Sequence, residues 1–285
     1  MNSREGGFIT ARGYRQSKTR GLSSRALRDA ALVEHIHEVP SENFGVYGIR
    51  KMWHSLRREG IDIGREQTAR LMRLAGVGGK GKGRSPVTTC KPKSPDLRPD
   101  LVNRQFKAPA PGRLWVADIT YVRTRKGFGY TAFATDVFSR RIVGWALSDS
   151  MRTEALPLQA LNQAIVCTKE TTGLIHHSDH GSQYVSIVYN ERLAEHGIAA
   201  PTETIDDSYD NALAENINGS YKNELIHSRT WNDVVDVEVA TFEWVDWWNE
   251  TRLHQNLDYR TPAEVESEFW ETNPTQEIIE IKANA

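Results

Sequence analysis

Leu114-Trp-Val-Ala-Asp118-Ile-Thr-Tyr-Val122 is a run of strand-favouring residues with a single carboxylate at its centre. Aspartate is disfavoured in strands, and a charge carried into a sheet needs a partner or a metal ion. Two more strands follow closely, Phe128-Gly-Tyr-Thr-Ala-Phe-Ala-Thr135 and Arg141-Ile-Val-Gly-Trp-Ala-Leu147, joined by a short turn near Ser139. That spacing predicts an antiparallel meander. Residues 154–166 read as a helix, and Gly173-Leu-Ile-His-His-Ser178 is a short apolar run turning polar, the carboxyl end of a strand, with Asp179 directly after it. Val188 to His196 reads as another helix before a short strand near Ala199. Strands that are first antiparallel and then alternate with helices predict an α/β domain, a mixed five-stranded sheet with helices on both faces.

Separated from Asp179 by thirty-five residues, Glu215 lies inside Tyr209-Asp-Asn-Ala-Leu-Ala-Glu215-Asn-Ile-Asn-Gly-Ser-Tyr-Lys222-Asn-Glu-Leu225. This segment is mostly helical in composition. Asn211, Glu215, Asn218 and Lys222 fall at i, i+4, i+7 and i+11 and share one face, while Leu213, Ile217 and Leu225 lie largely on another. Taken singly, each carboxylate has an ordinary explanation as a turn residue, a helix cap or part of a solvated face. Together, two strand-associated aspartates and a helical glutamate can supply oxygen ligands to one or two divalent cations, with Lys222 near enough to meet a phosphate. Hard oxygen ligands make Mg2+ the expected ion, with Mn2+ as its substitute.

Trp115-Val-Ala-Asp-Ile-Thr-Tyr-Val, His177-Ser-Asp-His-Gly-Ser-Gln-Tyr, Asp207-Ser-Tyr-Asp-Asn-Ala-Leu-Ala-Glu-Asn, Tyr221-Lys-Asn-Glu-Leu and Trp247-Trp-Asn-Glu-Thr-Arg-Leu-His resemble, in this order, the blocks of bacterial insertion-sequence transposases of the second-reading-frame type. The resemblance runs from about Ser24 to Glu268. It implies a ribonuclease-H-like core similar to retroviral integrases, with Asp118, Asp179 and Glu215 as the metal-binding catalytic triad (DDE) and Lys222 contacting DNA near the reacting end. It further implies cleavage and strand transfer at the ends of an element, first through a circular intermediate and then into target DNA. The implied partners are element-end and target DNA, further copies of the chain on that DNA, and an upstream-frame product that supplies end recognition. The implied location is the bacterial cytoplasm, in association with the nucleoid.

Composition agrees with a soluble enzyme. No apolar run approaches the ~20 residues of a membrane span, and no secretory signal is visible. Cys90 and Cys167 match no zinc spacing and read as reduced thiols. The net charge of −1 conceals an asymmetry: residues 1–107 carry 22 Lys and Arg against 10 Asp and Glu, and the remainder 14 against 27. The basic half is therefore the candidate for phosphate contact.

Within it, residues 1–23 read as a mobile basic tail and residues 24–79 as a small helical domain. A helix starts at Ser24 and is expected to stop at Pro40. Ile49, Met52, Trp53 and Leu56 then mark a helix broken by Gly60, and Thr68, Leu71, Met72 and Ala75 mark another before Gly76. This pair predicts a helix-turn-helix with Arg70 and Arg73 on the outer face of its second helix. Arg70, Arg73, Asn211 and Asn218 join Lys222 as expected DNA contacts. Residues 80–111 are a basic Pro/Gly linker, 112–270 the core with its carboxyl-terminal helix, and 271–285 a tail.

Trp244, Trp247, Trp248 and Thr251 form a helical stripe that reads as a core face before it reads as a base-stacking platform. Arg252, His254 and Arg260 are open to either DNA contact or plain solvation. Two other readings compete. His176-His-Ser-Asp-His180 is similar to the zinc-hydrolase pattern H-x-H-x-D-H, but Ile175 stands where its first ligand would be. A DNA-binding protein with a decayed catalytic domain would have lost carboxylates that are all present here.

Overall fold

The computed structural model describes residues 10–19, 21–81, 108–152, 156–168, 170–178, 184, 186–200 and 212–274. The chain divides into two compact units, Met1–Lys80 and Gly81–Ala285.

The first unit holds α1 (Ala11–Thr19), α2 (Ser24–Glu42), α3 (Ile49–Arg58) and α4 (Arg65–Ala75). The α2 helix starts where Ser23 Oγ accepts a bond from the Ala26 amide at 3.2 Å, a side-chain cap for an otherwise unpaired donor. Its Leu32, Ile36 and Val39 are buried with Met52 and Leu56 of α3 and Leu71 and Met72 of α4, so the two periodic runs do form the packed faces. The Trp53 indole donates to the Ile63 carbonyl at 2.8 Å and fixes the connection between α3 and α4. The α2 helix runs to Glu42 and carries Pro40 inside it, two residues past the expected stop. Proline removes only its own N–H from the ladder. So near the end the loss is small, and Asn43 Nδ2 and the Gly45 amide donate to the carbonyls of Val39 and Pro40, each at 2.9 Å.

The second unit is built on β1 (Leu114–Thr124), β2 (Gly127–Asp136), β3 (Ile142–Ser148) and β4 (Ile175–Ser178), with α5 (Pro157–Cys167), α6 (Ile187–Glu195), α7 (Ala212–Glu224), α8 (Val234–Glu250) and α9 (Pro262–Thr272). The strands lie in the order β3-β2-β1-β4. The first three form the antiparallel meander, and β4 joins β1 in parallel, with Leu114 opposite Ile175 and Ala117 opposite Ser178. Among the described residues the expected fifth strand is a single bridge: the Ala199 amide donates to the Leu174 carbonyl at 2.9 Å, and its carbonyl accepts from His176 at 2.8 Å.

Alternation along β1 separates two cores. Trp115 and Ala117 face α5 and α6, where Leu161, Ala164, Tyr189 and Leu193 bury them. Val116 and Ala214 pack on the other face, and there Phe133 meets Tyr221 of α7 and Trp244 of α8 at ring distances of 5.1 and 5.9 Å. Gly144 lets α5 lie directly on β3: a β-carbon there would come within 2.1 Å of the Ala160 carbonyl oxygen. The tryptophan stripe of α8 is core, with Trp244, Trp247 and Trp248 all buried. Behind it, the Asn249 amide bonds the backbone N–H and C=O of Ile142 at 2.9 and 3.0 Å, pairing the β3 edge as another strand would.

Candidate active site

Asp118 sits where the parallel ladder stops, one residue beyond the Ala117–Ser178 pair. Its side chain is on the α7 face of the sheet, opposite Phe133 of β2. The carboxylate is half-buried and held at both oxygens: Oδ1 accepts from the Ile119 amide and Oδ2 from Asn218 Nδ2, each at 2.8 Å. Asn218 is 8% exposed, and its own Oδ1 is buried with no hydrogen-bond partner.

The helical stripe read from the sequence spans three environments. Glu215 lies in the first turn of α7 and is exposed. Asn218 lies one turn further along and is buried under Asp118. Lys222 follows another turn on, half-buried, its Nζ 4.4 Å from the centre of the Tyr121 ring. Burial lowers the Lys222 ammonium below its usual pKa, and the nearby Asp118 charge opposes that shift. Tyr121 stacks edge-on against Phe128 at 6.0 Å, and both rings are solvent-exposed beside the lysine. Asp179, directly after β4, and Asn211, directly before α7, lie outside the described residues. Among the described residues no three His, Cys, Asp or Glu side chains converge as a metal site. Asp118 and Glu215 supply the hard oxygens that a divalent ion takes, and Asp118 is already oriented by donors from two elements, so the residues present fit such an ion.

The zinc-hydrolase alternative lacks its first ligand at Ile175, and the adjacent His176 occupies a spacer position of that pattern. That imidazole is 2% exposed, shares a 3.0 Å hydrogen bond with the Tyr189 hydroxyl and faces the apolar core between sheet and helices. Burial pushes its pKa down to about 4.

In the first unit Arg70 is committed to a partner: one guanidinium nitrogen donates to both oxygens of Asp29 on α2, each at 2.8 Å. Arg73 is exposed, with Nε donating to the Ala69 carbonyl at 3.3 Å.

Family comparison matches an HTH-like domain to residues 26–84 and the integrase core domain to residues 108–204 and 197–262. A Mycobacterium tuberculosis protein named for the transposase of insertion sequence element IS986/IS6110 is 47% identical over 264 residues, 90% of this chain and 94% of the relative. The transposase for IS629 of Shigella sonnei is 48% identical over 248 residues, 87% of this chain and 83% of its own. The chain belongs to the insertion-sequence transposases. It is an enzyme of DNA transposition, a polynucleotidyl transferase whose DDE-type integrase core follows an HTH-like domain. Among solved structures, the HTLV-2 integrase catalytic core domain in complex with magnesium is similar over 55% of this chain and 98% of that one, at 19% identity and a TM-score of 0.43. Among the described residues of the transposase no helix is long and apolar enough to cross a membrane.

Three basic residues of the transposase left open between DNA and solvent have neither as their main partner. Arg252 is buried, donating from Nε and Nη2 to the two carboxylate oxygens of Glu224 at 3.1 and 2.5 Å, and its guanidinium lies 4.3 Å from the Trp248 ring. The third guanidinium nitrogen, Nη1, lies 3.1 Å from His254 Nδ1. Arginine can only donate, so this imidazole accepts at Nδ1 and carries its proton on Nε2, which donates to the Trp248 carbonyl at 3.1 Å. Arg260 bonds the Leu257 carbonyl and Glu268. Asn218, grouped with the DNA contacts from its face of α7, is turned inward onto Asp118. Sequence reasoning also passed over Tyr121, whose only signal was an aromatic three residues past the strand aspartate.

Proposed function

We propose that Asp118, Asp179 and Glu215 are the catalytic triad of this transposase, holding Mg2+, or Mn2+ in its place, at the scissile phosphate of the element end. The observation that carries the reading is the hydrogen bond from Asn218 to Asp118, because it ties the helix of Glu215 to the strand of Asp118 within one helical turn of the glutamate. The parallel register gives support from the other side, since Ala117 and Ser178, the residues before the two aspartates, are cross-strand neighbours. Neighbouring strands lie about 4.8 Å apart, close enough for two carboxylates to share an ion. The ions, when bound, supply charge neutralisation at the attacking and leaving oxygens of an in-line phosphoryl transfer.

The protein's part is orientation. Asp118 is held by two donors and cannot rotate freely. The Lys222 ammonium, propped on the Tyr121 ring, offers a cation to a backbone phosphate beside the reacting one. Water is the first nucleophile and the freed 3′-hydroxyl of the element end the second. Arg73 and Lys222 are the DNA contacts this reading favours, with Arg70 and Asn211 as further candidates from the sequence, while Asn218 serves Asp118 instead. Residues 24–79 act as the DNA-binding domain, 80–111 as the linker and 112–270 as the core, working as a homo-oligomer on DNA in the cytoplasm. Selectivity for element ends comes from an upstream-frame product, because basic contacts to phosphate give affinity without reading bases.

Asp118→Asn, Asp179→Asn and Glu215→Gln are each expected to abolish cleavage and joining of labelled element ends in Mg2+ while leaving the thermal unfolding midpoint near wild type. Near-normal joining by any of the three would remove that residue from the triad.

A further inference from the structure

We propose that Asn218 is a positioning residue for catalysis, fixing the carboxylate plane of Asp118 for the ion at the expense of its own unpaired oxygen. This rests on the triad reading above. Among the donors on Asp118, one comes from the backbone of its own strand and one from α7. Removing Asn218 would leave the Oδ2 side untethered by the helix that carries Glu215. The orientation of the Asn218 amide follows from its partner: turned over, it would set its carbonyl oxygen against Asp118 Oδ2, acceptor against acceptor. So the buried Oδ1 without a partner is a consequence of serving Asp118.

A buried acceptor left unpaired is destabilising. Asn218 lies in the buried stretch of α7 that includes Ile217, Ser220 and Tyr221, where an apolar side chain of similar size would carry no such penalty. The fold alone therefore gives no reason for an asparagine here, whereas the site does. Partners behind a metal ligand orient it, and losing one weakens metal binding by roughly 10–100-fold.

The test is a calorimetric titration of MgCl2 into the full 285-residue chain without DNA, so that nothing turns over. Wild type, Asp118→Asn, Asn218→Leu and Asn218→Ala are compared, with thermal unfolding of each in the absence of Mg2+. The expected result is loss of binding in Asp118→Asn and affinity weakened about 10–100-fold in Asn218→Leu, with the Leu variant unfolding at or above the wild-type temperature. A purely structural role predicts the reverse, a lower unfolding temperature with unchanged affinity, and that result overturns the proposal. Should the leucine not be accommodated, Asn218→Ala adds no bulk and decides in the same way: weakened Mg2+ binding supports the role and wild-type binding ends it. If wild type and Asp118→Asn titrate alike, the triad reading itself fails, an outcome distinct from failure at Asn218 alone.

Discussion

Acid should destabilise the catalytic core through His176. Its ring is enclosed by Tyr184 and Tyr189 at centroid distances of 6.4 and 5.7 Å, and its one hydrogen-bonded neighbour of known geometry is the Tyr189 hydroxyl, itself held protonated by burial. Neither offers a countercharge, and His177 opposes protonation further. The folded imidazole therefore stays neutral down to about pH 4, while in the unfolded chain it takes a proton below 6.5. Between those values the unfolded state binds more protons, so stability falls as pH falls. Linkage gives a loss of about 2 kcal/mol near pH 5 and about 3 kcal/mol near pH 4. Urea unfolding followed by tryptophan fluorescence can read this, because Trp53 is the only one of the eight tryptophans within the first unit. Asp136 and Glu266, whose carboxyls are raised by burial, titrate with the opposite sign, being favoured by protonation in the fold. A His176→Gln variant retains those groups, so the difference between the two proteins isolates the histidine. Wild type should lose about 2 kcal/mol more than His176→Gln between about pH 7.5 and pH 5. The same acid sensitivity in both would refute the assignment of a buried neutral imidazole.

The remaining expectations concern packing, the buried ion pair and Lys222. Gly144→Ala should destabilise the core by at least about 1–3 kcal/mol in urea titration, the usual range for overpacking, because the new methyl meets Ala160 and Ala164 of α5 at 2.1–2.9 Å; a wild-type midpoint would show that α5 can lift off β3 freely. Glu224→Met or Arg252→Met alone should cost about 3–5 kcal/mol, and the double replacement should recover much of that, as expected when a desolvated pair of side chains only 8% and 10% exposed is broken or removed; additive losses would mean the pair is not coupled. Lys222→Ala should weaken binding or joining of element ends more than Lys126→Ala, whose ammonium is exposed and paired with Asp233 at 2.9 Å, and equal effects in a filter-binding assay at physiological salt would reduce Lys222 to a surface charge.

Much of the architecture was legible because it depends on local pattern. The alternation through Trp115, Val116 and Ala117 gave β1 its two faces, and the spacing of Trp244, Trp247 and Trp248 gave α8 its core side. The continuation of α2 through Pro40 was missed because a proline this near a helix end forfeits only its own ladder bond, and nothing local announces that the helix runs on for two residues more. Among the described residues the fifth strand is the Ala199 bridge alone, and a short apolar run specifies extension but not how many ladder bonds it makes.

The site shows the deeper limit. Glu215, Asn218 and Lys222 were correctly placed on one face of one helix, yet periodicity assigns a direction and says nothing about depth. Depth here is set by the sheet. Among the described residues β4 ends at Ser178 and pairs with β1 only up to Ala117, and α7 lies against the strand at Asp118, burying Asn218 while leaving Glu215 exposed one turn earlier and Lys222 half-covered one turn later. The same reasoning explains Arg252, whose type suggested solvent or phosphate: its partner Glu224 is 28 residues away, and only the packing of α8 against the sheet brings the two charges together where each makes the other's burial tolerable. A face read from sequence is therefore sound ground for nominating residues, while which of them are covered and which stay open follows from how the helix lies on the sheet.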